Sequence, residues 1–173
     1  DNKVYQRVHA TLIKKSSYIA SIDGVLNAVI VDGKPVGRSV IQGEGAGPEA
    51  TTSALISDIS SILRGNIKFP FSISNKERKI LNFKKINERF FSAYLRFDVD
   101  DKPGVLSNIT KIFSKYKVSI KRLIQNPYKS KKFSSIVIIT HSSKNESLIK
   151  IIKKIENKKY IIKKPKLIRI GFY

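Results

Sequence analysis

Along residues 4–13, Val4, Gln6, Val8 and Ala10 fall on one side of an extended chain, and Tyr5, Arg7, His9 and Thr11 on the other. That alternation predicts a strand, ended by the polar run 14–17. A compact apolar run follows at 28–31, then the turn signal Asp32-Gly33-Lys34-Pro35, then a second extended stretch at 36–42. The two runs predict a hairpin that turns at Asp32-Gly33, because Asp-Gly tolerates the positive φ angles of a tight turn. Beyond a glycine-rich loop, Leu55, Ile59, Ile62 and Leu63 recur at helical spacing. They predict a helix over 49–63, stopped at Gly65-Asn66.

The second half alternates between the two periods. Residues 93–99 read as a strand, and 105–116 as a helix with Val105, Ile109, Ile112, Phe113 and Tyr116 on one stripe. Strands at 118–125 and 133–141 are joined through 126–132, a helix over 146–156 faces inward through Ile149, Ile152 and Ile155, and a strand over 160–170 is interrupted at Pro165. The order β-α-β-β-α-β is the ferredoxin-like plan of the α+β class, with both helices on one face of an antiparallel sheet. Between the halves, Phe69-Pro70-Phe71 breaks any helix and a Lys/Arg-rich run follows. The expected division is therefore 1–65, a connector over 66–90 packed through Phe69, Phe71 and Phe83, and 91–173.

Charge changes this picture less than its size suggests. The net charge is +21, yet residues 1–65 hold 7 Lys/Arg against 6 Asp/Glu, so the excess lies in the second half. Lysine mixed with Ile and Asn there fits solvated faces, and no aromatic stacking platform accompanies it. No nucleic-acid partner is expected. Cysteine is absent, and His9 and His141 stand apart, so disulfides, Cys nucleophiles and a metal site are not expected. No apolar run has membrane-spanning length and no leader pattern follows Asp1-Asn2-Lys3, which points to a soluble, cytoplasmic protein without a membrane partner.

Two loops are candidates for chemistry. Asp101-Lys102-Pro103-Gly104 joins a strand to a helix whose first-turn amides can receive a carboxylate. Taken alone, the tetrapeptide is better explained as a bare strand-to-helix turn. Gly43-Glu44-Gly45-Ala46-Gly47 also precedes a helix. It lacks the Gly-Lys-Ser/Thr of a phosphate loop, and its third glycine falls too early for a dinucleotide fingerprint. Thr51, Thr52 and Ser53 can cap the helix or offer hydroxyls to an anion, and a tight turn without ligand is the alternative.

Asp101, Pro103, Gly104, Val105, Leu106 and Ile109, at this junction of a βαββαβ unit, resemble an ACT domain, a regulatory module that binds amino acids. Asn27-Ala28-Val29, Asp32-Gly33, Val36-Gly37, Gly43-x-Gly45-Ala46-Gly47, Thr51 and Asp58 resemble the C-terminal part of the catalytic region of homoserine dehydrogenase, which in bacteria is followed by an ACT domain. Relatives often enter the helix through Pro-Thr-Ala, where Ala50-Thr51-Thr52 stands here. The resemblance implies a C-terminal portion of an NAD(P)-dependent enzyme that interconverts L-aspartate 4-semialdehyde and L-homoserine. It implies a cofactor contact at Gly47, with Gly45 and Ala46 in support, and NADP or NAD as cofactor. It implies an amino-acid effector, with threonine the family expectation, near Asp101, Gly104 and Gln125, and a homo-oligomer paired through the ACT domain. Catalytic residues are expected upstream, so this chain alone should lack dehydrogenase activity. The competing expectation is a stand-alone amino-acid-binding ACT module.

Overall fold

A computed structural model describes residues 3–65, 73–74, 76–83, 85–127 and 133–171. In chain order the elements are β1 (Lys3–Val4), β2 (Thr11–Leu12), β3 (Leu26–Gly33), β4 (Gly37–Glu44), α1 (Pro48–Leu63), β5 (Asn82–Phe83), β6 (Phe90–Asp100), α2 (Val105–Lys115), β7 (Ile120–Pro127), β8 (Phe133–Thr140), β9 (Ser143–Lys144), α3 (Asn145–Glu156) and β10 (Ile161–Ile170). Short 3-10 turns occupy Tyr18–Ser21 and Ile86–Glu88. The chain divides into two units, one formed by 1–13 with 81–172 and the other by 14–80.

In the first unit the strand order is β2-β10-β6-β8-β7. β6 runs antiparallel to β8 and β10, and β7 antiparallel to β8. This is the ferredoxin-like arrangement that the alternation predicts. Every second residue of β6, namely Ala93, Leu95, Phe97 and Val99, is buried. Cross-strand register puts Ile138 opposite Leu95 and Ile136 opposite Phe97 on the same face. Val105, Ile109 and Phe113 of α2 and Leu148, Ile151 and Ile155 of α3 complete that core. The Phe97 and Phe113 rings meet edge to face at 6.3 Å. Each such side chain, taken fully out of water, contributes about 1.5–3 kcal/mol.

The buried stripe of α3 corrects the expectation of Ile149, Ile152 and Ile155. Paired apolar residues at 148–149 and 151–152 support two phases of a helical stripe. The sheet selects the phase of Leu148 and Ile151 and leaves Ile149 and Ile152 only partly covered. Pro165 falls where β10 slips register against β6, between Lys163 and Lys166. A proline has no N–H to give the ladder, which accounts for the interruption.

The strand expected over 4–13 is realised only at its ends. β1 pairs in parallel with β5, and β2 in parallel with β10 through Thr11 beside Arg169 and Leu12 beside Ile170. Residues 5–10 form no ladder. In the connector, Phe83 is 71% exposed and does not pack as expected. Phe69, Phe71 and the 128–132 part of the predicted β7–β8 connection lie outside the described residues.

In the second unit, β3 and β4 form the predicted hairpin, in register from Leu26 opposite Glu44 to Gly33 opposite Gly37. Its turn is displaced from the expected place. Asp32 and Gly33 remain in β3, and Lys34-Pro35-Val36 turns the chain, with a cis Lys34-Pro35 bond and a positive φ of 83° at Gly37. Asp32 instead faces Arg38 across the ladder and accepts its Nε–H at 2.7 Å. That pairing holds the Asp32 carboxyl below the usual carboxylate range. α1 follows with Pro48 at its first position and ends at Gly65, whose φ is 72° and whose N–H donates to Ile62 O at 2.9 Å.

Candidate functional sites

The corner after β6 is fixed from both sides. The Asp100 N–H donates to Tyr160 O at 2.9 Å, which ties the strand end to the residue before β10. Lys102 turns back on it, its N–H donating to Asp100 O at 3.1 Å and its Nζ to Asp100 Oδ2 at 3.1 Å. Gly104 then takes φ 86° and ψ −15°, the left-handed region. A Cβ there would meet no atom within 4 Å, so the backbone hand and not crowding calls for glycine. α2 starts without a side-chain cap. The Val105 N–H donates to Lys102 O at 3.4 Å, and the next amides, of Leu106 and Ser107, keep their capacity for an acceptor.

β7 brings the second half of the site. Gln125 donates its amide N–H groups to Asp101 Oδ1 and to Ser134 Oγ, both at 3.3 Å. Asp101, Gly104 and Gln125 thus line one cleft of about 420 Å³, over Val99 and Ile136. Of the two carboxylates that line the cleft, Asp100 is paired with Lys102, which leaves Asp101 to accept an ammonium, and the helix start favours a carboxylate. Ser134, the second acceptor for Gln125, is a contributor that local pattern does not reveal. It enters the site only through the register of β7 on β8.

The glycine loop is built differently. A Cβ on Gly45 would fall 1.3 Å from Asn27 Nδ2, so the loop closes against the Asn27 side chain. Gly47 has φ 125° and open space where a Cβ would sit. The Thr51 hydroxyl is engaged, donating to Gly47 O at 2.8 Å. Thr52 and Ser53 line a shallow cleft of about 510 Å³ with Pro48, Glu49 and Ile56, and none of Gly45, Ala46 and Gly47 lines it. Among the described residues no three His, Cys, Asp or Glu side chains cluster as metal ligands, and no helix is long and apolar enough to cross a membrane.

The glycine loop and the cleft fall in separate family matches. Residues 2–60 match the homoserine dehydrogenase family, and residues 93–157 match the ACT domain. A homoserine dehydrogenase of Helicobacter pylori is 32% identical over 95% of this chain and 38% of its own length. One of Neisseria gonorrhoeae is 35% identical over 87% of this chain and 36% of its own. The crystal structure of a homoserine dehydrogenase from Thiobacillus denitrificans superposes with a TM-score of 0.84 at 30% identity, over 99% of this chain and 40% of that one. Along nearly its whole length the chain is similar to the C-terminal portion of homoserine dehydrogenases. It spans little more than a third of the length of the relatives it matches. The homoserine dehydrogenase match contains β3, β4, the glycine loop and most of α1, whereas the ACT match contains the Asp101–Gly104 corner, β7, β8 and α3.

Proposed function

We propose that this chain is the C-terminal portion of an NAD(P)-dependent homoserine dehydrogenase, with its regulatory domain in 91–173, a connector over 66–90 and the end of the catalytic domain in 1–65. The whole enzyme, in this reading, interconverts L-aspartate 4-semialdehyde and L-homoserine in the cytoplasm, on the route to threonine, methionine and isoleucine. The observation that carries it is the likeness over 99% of the chain to a solved homoserine dehydrogenase.

The regulatory role rests on the cleft of Asp101, Gly104 and Gln125. An amino-acid effector, L-threonine in this reading, places its carboxylate at the amides opening α2 and its ammonium beside Asp101. Gln125 holds the Asp101 carboxylate in place. Each charge-assisted contact is worth roughly 1.5–3 kcal/mol. Pairing of ACT domains into a homo-oligomer covers the sheet face opposite the helices, where Tyr94, Val137 and Ile139 are only half buried.

Bound NADP or NAD supplies hydride transfer. Gly47 fits one flank of such a cofactor, because its open, positive-φ backbone admits close approach, with Gly45 and Ala46 beside it. These three residues bring no phosphate or ribose ligand of their own. The catalytic groups belong to the remainder of the enzyme, and this chain acts by positioning and regulation.

Calorimetry on the full chain tests the reading. Threonine binding should saturate, and Asp101→Asn should weaken it by about tenfold or more. No binding of threonine, methionine or isoleucine would remove the effector role. Homoserine-dependent NADP reduction by this chain alone would contradict the division of labour.

A further inference from the structure

Three arginines, Arg7, Arg89 and Arg169, converge in the first unit, and none of them forms an ion pair among the described residues. Tyr5 and Arg7 lie between β1 and β2, Arg89 precedes β6, Phe91 lies in β6 and Arg169 in β10. The Arg7 guanidinium carbon is 5.7 Å from the centroid of the Phe91 ring, and that of Arg169 is 5.6 Å from the same centroid. Arg89 stacks over the Tyr5 ring at 4.5 Å. Arg169 is locked in place, since its Nε and Nη2 donate to Asn145 Oδ1 at 2.9 and 2.6 Å. The Asn145 N–H in turn donates to Arg89 O at 2.8 Å. The ion pairs formed among the described residues, Arg38–Asp32, Arg96–Asp98, Lys102–Asp100 and Lys150–Glu146, include none of Arg7, Arg89 and Arg169.

Two atoms carry the argument further. Tyr5 Oη and Arg7 Nη1 are buried with no hydrogen-bond partner. A buried donor without an acceptor bears its full desolvation cost. An aromatic ring gives a guanidinium partial electrostatic compensation but accepts no conventional hydrogen bond. Burial, followed by the nearby Arg7 charge, also pushes the Arg169 guanidinium below its ordinary value. Two guanidinium groups set against the one Phe91 ring suit an anion, and their planar forks match the oxygens of carboxylates and phosphates.

We propose that Tyr5, Arg7 and Arg169 form an oxyanion site that takes a carboxylate or a phosphate group as its ligand. It shares no residue with the Asp101–Gly104 cleft and does not depend on the effector reading. Arg7 Nη1 and the Tyr5 hydroxyl donate to the bound oxygens, while Arg169, oriented by Asn145, supplies the second positive charge.

The test is calorimetric titration of the full chain with inorganic phosphate and, separately, with acetate, at constant ionic strength held by chloride. Saturable binding of either anion is expected. Arg7→Gln should weaken it by about tenfold or more, the range of a lost charge-assisted bond. Tyr5→Phe keeps the ring beneath Arg89, removes only the hydroxyl and should weaken binding severalfold. If Arg7→Gln fails to fold by circular dichroism, Tyr5→Phe decides. Threonine binding at the other cleft should be unchanged in Tyr5→Phe, so failure of one site is distinguishable from failure of the other. No saturable response to either anion, or equal binding by wild type and a folded Tyr5→Phe, would overturn the proposal.

Discussion

Thirteen apolar residues are buried in the unit that contains the ACT domain, all between Ala93 and Ile155, whereas none is buried among the described residues of 14–80. The contrast is not one of local pattern. α1 has 16 residues and repeats Leu55, Ile59 and Ile62 at helical spacing, yet these residues are 56–62% exposed. α2 has 11 residues, and its Val105, Ile109 and Phe113 are buried. An amphipathic stripe marks a face suited to burial, but the free energy comes only when another surface removes it from water. α2 and α3 meet the sheet β2-β10-β6-β8-β7, which supplies this surface. The hairpin β3–β4 is two strands wide and leaves Val29, Val31 and Ile41 more than half exposed.

The sharpest way to break this comparison is to delete one side chain from each region and follow unfolding by urea and circular dichroism. Phe97→Ala removes a ring buried among α2 and β8 and should cost about 3–5 kcal/mol. A loss below about 1 kcal/mol would mean that the ACT core is not packed as described. Gly104→Ala should cost about 1–2 kcal/mol, because an L side chain must enter the left-handed region at φ 86°. Since that strain accompanies any substitution, Asp101→Asn is the cleaner probe of effector binding. Ile59→Ala in α1 should change stability by no more than about 0.5 kcal/mol, as alanine favours the helix and little burial is lost. A loss near that of Phe97→Ala would show that α1 is covered in solution.

The smallest expected effect is electrostatic. Lys150 donates to Glu146 one turn away on α3 and holds the Glu146 carboxyl below the usual carboxylate range. A depressed carboxyl contributes stability above its unfolded pKa and loses it as pH falls through the folded value. Wild type should therefore exceed Glu146→Gln slightly in melting temperature near neutrality, and the gap should close in acid. A gap that widens on acidification would contradict the pairing.

The ACT half was legible because its signals are local and repeated. Strand alternation in β6, the α2 stripe and the Asp101–Gly104 corner each lie within a dozen residues, and Gly104 takes the positive φ that its place before α2 suggests. The hairpin was legible in kind but misplaced in its turn. Asp-Gly tolerates positive φ angles without requiring them, and the Asp32–Arg38 pair is satisfied only when Asp32 stays in the ladder.

What the sequence by itself determined is the order of elements and the residue types at each corner, since these follow from period and backbone preference. Only the tertiary structure decided which of two stripes α3 buries, that Ser134 shares the Gln125 amide with Asp101, and that residues 3–13 split to pair with β5 and β10. It also decided that Arg7 and Arg169, more than 160 positions apart, meet on the Phe91 ring. Such contacts depend on which surfaces the whole chain brings together. A period of two or of 3.6 residues carries no record of a partner so far along the chain.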